Sequence, residues 1–204
     1  MEKISRRSFI KSTGLGLTFL ASSAYSNPLS SLILSNKEQN SIKLDYVIFD
    51  KGSKKSEEFA HKMSILGTKS YGIDKDIYEM YRDIIKPTWK NQNSAIAGLT
   101  SYETLFVLQR FAFDNQMQVY FNIEHSIDDS YTNNKLNLAN EKLENDLKKY
   151  NLTDALALNL SSYPQKKIIA NKNIVSHSSD FSHSEILYSW IIAAKKLDKG
   201  ELNV

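Results

Sequence analysis

Residues 44–67 have the sequence LDYVIFDKGSKKSEEFAHKMSILG, in which a short apolar run is followed by a stretch with helical spacing. Residues 44–49 are apolar except for Asp45, as expected for a strand that is covered on both faces. In the stretch that follows, Phe59, Met63 and Leu66 recur at helical spacing, and a glycine follows where a helix would end. A buried strand joined to an amphipathic helix is typical of α/β proteins.

The same alternation continues along the next part of the chain. Apolar runs at 70–73 and 95–98 predict two more strands, and helical spacing predicts helices over 76–86 and 100–113. Pro87 is expected to end the first of these helices, because the residue before proline avoids the helical region. The second helix begins with a Thr-x-x-Glu capping box and is apolar on nearly all sides, so we expect it to be buried.

The second half of the chain is less regular. Residues 117–123 alternate apolar and polar side chains, which predicts a strand with one wetter face near an edge of the sheet. Residues 126–134 are predicted to form a loop and 136–150 a charged helix, whereas 152–160 fit a helix or a strand. After a polar stretch, the β-branched and aromatic run 186–193 predicts a last strand.

Together these elements predict an α/β fold, a three-layer sandwich of about five mostly parallel strands with helices on both faces, Rossmann-like or flavodoxin-like. The domain is predicted to span 43–204, with 27–42 as a tether before it. The chain has 204 residues, 41% of them apolar, and no cysteine. That composition is typical of a globular protein and excludes disulfides, thiolate nucleophiles and cysteine-bound iron–sulfur clusters.

The N-terminal segment 1–26 contains Ser5-Arg6-Arg7-Ser8-Phe9-Ile10-Lys11, followed by a weakly apolar stretch and small residues. It resembles a bacterial twin-arginine (Tat) signal peptide. The resemblance implies export of an already folded chain through the Tat translocase, removal of the segment by signal peptidase, and a periplasmic or secreted location.

Charge and hydropathy restrict the partners of the remaining chain. Four of the 26 basic residues and one of the 23 acidic residues fall in 1–26, so residues 27–204 carry 22 of each. A chain without net charge has no overall field that attracts nucleic acid. No apolar stretch in it is long enough to predict a stable transmembrane segment.

Polar residues follow the predicted parallel strands, and ligands of open parallel sheets bind at the carboxyl ends of the strands. Residues Gly98, Thr100 and Ser101 would expose backbone N–H groups at a helix start, although an ordinary strand-to-helix turn has the same sequence. With Lys51 and Asp74, they are our predicted binding residues for a small polar or anionic ligand.

Glu124 and His125 are candidates for general acid–base catalysis at the end of the fourth predicted strand, with Asp50 as an orienting carboxylate. Neighbouring residues on a strand point to opposite faces, so both could reach one substrate only from a loop. The alternative is an exposed glutamate beside a hydrogen-bonded structural histidine.

Three function classes remain open from the sequence, which leaves the cofactor unknown. The chain is expected to be a binding or accessory protein, with an enzyme (hydrolase, lyase or isomerase) and a structural partner protein as alternatives. A metal site is a further alternative, because His177, Asp180 and His183 are acceptable ligand types within seven residues, although their spacing matches no known zinc pattern.

Overall fold

The computed structural model describes most of the chain from Ile42 onward. The N-terminal segment 1–26 and all of the predicted tether except Ile42 lie outside the described residues; Ile42 itself is buried, and its backbone N–H donates to the carbonyl oxygen of Tyr163 at 2.8 Å. No helix in the described part of the chain is both long and apolar enough to cross a membrane. The described residues are 42–74, 76–91, 93–128, 131–139, 141–163, 169–177 and 185–195.

Strands and helices alternate through the described residues. The strands are β1 (Tyr46–Asp50), β2 (Lys69–Ile73), β3 (Ala95–Thr100), β4 (Met117–Ile127), β5 (Tyr131–Leu138), β6 (Ile169–His177) and β7 (Glu185–Ala194). The helices are α1 (Lys54–Ile65), α2 (Ile77–Met80), α3 (Lys86–Trp89), α4 (Tyr102–Asp114), α5 (Glu141–Lys149) and α6 (Leu152–Leu160). A π-helical turn, Tyr81–Ile85, joins α2 to α3.

The strands form one mixed sheet in the order β2-β1-β3-β7-β4-β5-β6. Strand β1 pairs in parallel with β2 and β3, whereas all other neighbours are antiparallel. The predicted α/β fold is confirmed, but the prediction of about five mostly parallel strands is wrong. The last strand, β7, inserts between β3 and β4 in the opposite direction, and β4, β5 and β6 continue the sheet antiparallel from it.

Two strands were missed because their sequences lack apolar alternation. The predicted loop 126–134 contains the end of β4 and the start of β5. The predicted helix 136–150 starts inside β5, and its helical part is α5, which begins at Glu141. On β5 the buried face carries Thr132, Asn134 and Leu136, so only one of its three inward side chains is apolar. Strand β6 lies in the polar stretch before β7, and β4 lies inside the sheet rather than near its edge.

Pro87 does not end the helix that was predicted over 76–86. The chain widens into the π-helical turn just before it, where the Lys86 N–H donates to the carbonyl oxygen of Tyr81, five residues back. A proline ring in a regular helix would collide with the carbonyl four residues earlier. The wider turn relieves that collision, and the helical path continues to Trp89.

Two apolar cores lie on opposite faces of the sheet. One is formed against α1, α5 and α6, and the other against α2, α3 and α4. Helix α4 is not buried on all sides as predicted, because Tyr102, Phe106 and Phe113 are 52%, 48% and 74% exposed. Its N-cap is Ser101, whose hydroxyl accepts from the Thr104 N–H at 3.4 Å, and Thr100 is instead the last residue of β3.

The centre of the sheet depends on a close contact between β3 and β7. Gly98 on β3 pairs with Trp190 on β7, and the indole lies directly against the glycine backbone. A Cβ atom at position 98 would be 2.3 Å from the indole carbon Cζ2 and 3.0 Å from the carbonyl oxygen of Ile48. The indole Nε1 donates to the Thr100 hydroxyl at 3.0 Å, which fixes the ring in this place.

We therefore expect Gly98→Ala to lower the free energy of unfolding by about 3 kcal/mol, because a buried ring and a backbone carbonyl must both move. Trp190→Leu in the same background should recover part of the loss by removing the collision. Chemical denaturation of the two single variants and the double variant measures this coupling, and additive losses would contradict the packing described.

A polar cluster ties α1 to α6 on the other face. The Lys62 ammonium contacts Glu58 at 2.8 Å and Asp154 at 2.6 Å, and the Thr153 hydroxyl donates to Glu58 at 2.7 Å. Burial disfavours the charged form of Glu58, but hydrogen bonds from Lys62, Thr153 and Lys55 outweigh it and lower the pKa of Glu58 to about 2.

A carboxyl group whose pKa is lower in the folded than in the unfolded chain stabilises the fold at pH values above its unfolded pKa. That stabilisation is lost as the pH falls through its folded pKa. At pH 7, Glu58→Gln should cost about 1 kcal/mol, a small value because the side chain is partly solvated. The difference from wild type should shrink between about pH 4.5 and 2. Urea denaturation across this range is the measurement, and a difference independent of pH would contradict the assignment.

Candidate functional site

The Asp50 carboxylate ends β1 and holds the start of α4. Its Oδ2 accepts from the Ser101 backbone N–H at 2.6 Å, and its Oδ1 accepts from the Thr104 hydroxyl at 3.0 Å. The Asp50 N–H in turn donates to the Ser56 hydroxyl at 2.9 Å. Both carboxylate oxygens are therefore engaged in joining β1 to α4, a structural role that differs from the orienting role predicted for this residue.

The segment predicted to bind an anion, Gly98 to Ser101, is used within the fold. Gly98 lies in the middle of the buried strand β3 and accommodates Trp190, and the Thr100 hydroxyl accepts from the same indole. The Ser101 N–H already donates to a carboxylate, which also places a negative charge where an incoming anion would sit. None of these three residues lines the cleft that contains the other predicted ligand residues, Lys51 and Asp74.

Lys51 and Asp74 do come together, at the carboxyl ends of β1 and β2. They line a cleft of about 520 Å³ between these strand ends and the helical segment from α2 to the π turn. The remaining lining residues are Gly72, Ile73, Asp76, Glu79, Met80, Asp83 and Ile84. The cleft lies at the carboxyl ends of two parallel strands, the side on which open sheets bind ligands, whereas the strand order reverses between β1 and β3.

Gly72 allows the Lys51 side chain to lie across β2 at the cleft. A Cβ atom at position 72 would be 2.9 Å from two Lys51 side-chain carbons and 2.7 Å from the Phe49 ring. The Lys51 backbone N–H also donates to the carbonyl oxygen of Ile73 at 2.7 Å, which extends the β1–β2 pairing to the cleft. The ammonium group is thus supplied by a residue whose backbone is held in the sheet.

The carboxylates of the cleft differ in how strongly they are engaged. Asp76 caps α2 by accepting from the Tyr78 and Glu79 N–H groups at 2.9 and 3.1 Å. Asp83 accepts two hydrogen bonds from Arg82, both 2.6 Å long, which hold the pKa of Asp83 below its usual range. Among the described residues, Asp74 has no hydrogen bond or ion pair through its side chain, and the Glu79 carboxylate has only a 4.0 Å contact with Arg82.

Glu124 and His125 lie on opposite faces of β4, so the structure does not bring them to one substrate. His125 is 0% exposed, and both ring nitrogens are engaged: Nδ1 is 2.6 Å from Asn134 Oδ1 and Nε2 is 2.7 Å from Ser189 Oγ. The Asn134 amide nitrogen donates to the carbonyl oxygen of Ile174, so its Oδ1 is the acceptor. His125 is therefore neutral with its proton on Nδ1, and Ser189 donates to Nε2.

Burial of this imidazole lowers the pKa of His125 to about 4. A group buried in this way has a structural role in joining β4 to β5 and β7, which is the alternative that the sequence had left open. On the other face, Glu124 accepts a hydrogen bond from the Tyr188 hydroxyl at 3.0 Å. Burial and this carboxylate raise the pKa of Tyr188 to about 12, so the phenol remains protonated near neutral pH.

The predicted metal ligands fall largely beyond the described residues. Asp180 and His183 lie outside them, and His177 is described only as the last backbone position of β6. In the part of the chain that the structure describes, no group of three His, Asp or Glu side chains could hold a metal ion.

Sequence reasoning missed the residues whose partners are distant in the chain. Ser189 and Tyr188 belong to β7, and their contacts with β4 arise only because that strand inserts beside it. Glu79 is recognisable from the sequence as a residue in the first turn of a helix, but its place in the cleft depends on how α2 packs against β2.

The buried histidine predicts a specific acid sensitivity. A histidine with a lowered folded pKa binds fewer protons than the unfolded chain, so stability falls as the pH drops below about 6.5 and continues to fall to about 4. The full loss should approach about 3 kcal/mol for one proton. Denaturation of wild type and His125→Asn from pH 7 to 4 should give a steeper decline for wild type, and parallel curves would contradict the assignment.

Comparison with known proteins finds no matching family model, no similar curated protein and no similar solved structure.

Proposed function

We propose that this chain is an exported binding or accessory protein that takes a small polar molecule with a protonated amine at the carboxyl edge of its parallel strands. The proposal rests on the cleft of about 520 Å³ that Lys51 and Asp74 both line. This volume is in the range of small-molecule sites.

The charges of the cleft favour a cationic group in the ligand over an anionic one. Among the residues that the structure describes, four carboxylates line it against one lysine. Asp76 and Asp83 are engaged by the helix start and by Arg82, which leaves Asp74 and Glu79 as the acceptors for an ammonium group. An ammonium ion held between two carboxylates forms charge-assisted hydrogen bonds, whereas a phosphate there would meet repulsion.

Lys51 gives the site a second polarity. An ammonium group in the same cleft as two carboxylates suits a ligand that carries an acceptor, such as a hydroxyl or carboxylate oxygen, as well as its amine. Ile73, Met80 and Ile84 supply the apolar part of the lining, against which a short carbon chain would pack. The class that fits is a small amine with a second polar group.

Export is the second part of the proposal and is supported by the twin-arginine pattern of residues 5–11. A chain that folds before transport can bind its ligand before or after crossing the membrane. A periplasmic or secreted amine-binding protein combines the two parts of the proposal. The catalytic alternative gains no support from Glu124 and His125. The His125 imidazole is buried on one face of β4, and the Glu124 carboxylate lies on the other face.

We expect ethanolamine and 3-aminopropanol to shift the amide NMR signals of residues 72–74 and Glu79 in the ¹⁵N-labelled protein, while phosphate and acetate leave them unchanged. Asp74→Asn and Glu79→Gln should each weaken amine binding by about tenfold, which is the loss of one charge-assisted contact. The matched control is Asp114→Asn, which removes an exposed carboxylate at the far end of α4 and should leave binding unchanged.

Shifts caused by phosphate but not by amines would contradict the cationic class of ligand. Amine shifts confined to residues outside the cleft, or no shifts with either amine at millimolar concentration, would contradict the site.

A further inference from the structure

Helix α4 carries an exposed aromatic stripe along its whole length. Tyr102, Phe106 and Phe113 are about half to three-quarters exposed, although the same helix buries Leu105 and Leu108 on its inner face. The aromatic side chains of a helix normally lie against an apolar neighbour. Contiguous exposed apolar residues on one helix face mark an interaction surface.

The stripe has the spacing of a coiled-coil seam. Tyr102, Phe106, Gln109 and Phe113 follow one another at intervals of four, three and four residues, which is the alternation of d and a positions. The seam is about 16 Å long at 1.5 Å per residue. Its partner of matching shape is therefore another helix of about three turns.

No helix in the described part of the chain covers the sheet on the β5 side of α4. The sheet face opposite α5 and α6 is covered by α4 over β7 and β4, and the Tyr102 ring lies 5.4 Å from the Tyr188 ring of β7. Farther along the same face, the described side chains of β5 and β6 are exposed, among them Lys135 and Val175, and Ile186 of β7 is 57% exposed.

The charges beside the seam are self-complementary. Glu103 and Arg110 are both exposed, both follow a d position, and neither has an ion pair among the described residues. In an antiparallel pair of identical helices, residues at this position face their counterparts across the seam. We place Phe106 opposite Gln109 of the second helix. In this register Glu103 and Arg110 of the other chain differ in height along the helix axis by about 3 Å. The two-fold symmetry gives a second, identical pair.

We propose that the protein forms a two-fold dimer in which α4 pairs antiparallel with α4 of a second copy. An isologous contact requires a surface that is complementary to itself, and the seam meets that requirement in both shape and charge. Tyr102 packs beside Phe113 of the second copy at each end, and two Glu103–Arg110 ion pairs flank the centre. The amine cleft at the ends of β1 and β2 is lined by none of these residues, so the dimer is independent of the proposed function.

The test is sedimentation equilibrium of the purified protein and its variants. Wild type should have twice the mass of the chain, and Phe106→Glu should have the mass of one chain with an unchanged circular dichroism spectrum. The matched control is Ile65→Glu, which places the same charge at an exposed apolar residue of α1 and should leave the dimer intact.

Charge reversal distinguishes this interface from any other. Glu103→Arg and Arg110→Glu should each raise the dimer dissociation constant by about tenfold, because each creates two repulsive contacts, and the double variant should restore the wild-type value. Because the chain has no cysteine, a mixture of Phe106→Cys and Gln109→Cys should form a disulfide-linked dimer more readily than either variant alone.

A wild-type protein that is monomeric up to about 100 μM would overturn the proposal, since a specific interface should be populated at that concentration. A dimer that survives Phe106→Glu, or a double charge variant that is weaker than both single variants, would also overturn it.

Discussion

The contact between Trp190 and Gly98 joins the two halves of this protein. On one side of it lie three parallel strands that the sequence predicts well, and on the other side lies an antiparallel ladder. Strand β7 belongs to both, because it pairs with β3 along one edge and with β4 along the other. Only glycine at position 98 leaves room for the indole, so the position of the last strand depends on the absence of a single Cβ atom.

The two halves supply different features. The parallel half ends in the cleft, where Lys51 and Asp74 are brought together because β1 and β2 end side by side. The antiparallel half places His125 between Asn134 and Ser189, which links three strands through one buried ring. A satisfied polar network of this kind favours one strand register, because a slip would leave several buried groups without partners.

The sequence predicts those elements whose signal is local. Helix α1 follows from its apolar spacing and from the glycine after it, and β3 follows from its small apolar residues. Strand β5 could not be predicted, because Thr132 and Asn134 face the core and are stabilised there by partners on other strands. In the candidate site, Lys51 and Asp74 could be placed by the rule for strand ends, whereas the engagement of Gly98 and Ser101 depends on β7 and Asp50.

Because β7 pairs with both halves, we expect them to unfold as one cooperative structure. Native-state hydrogen exchange of the β7 amides tests it most directly, since exchange reports the free energy of the opening that exposes each strand. Residues 190–193 should exchange only through global unfolding, with the same free energy as the amides of β3 and β4. If the β4 and β5 amides exchange through an opening of lower free energy while β1 and β3 stay protected, the two halves do not unfold as one structure.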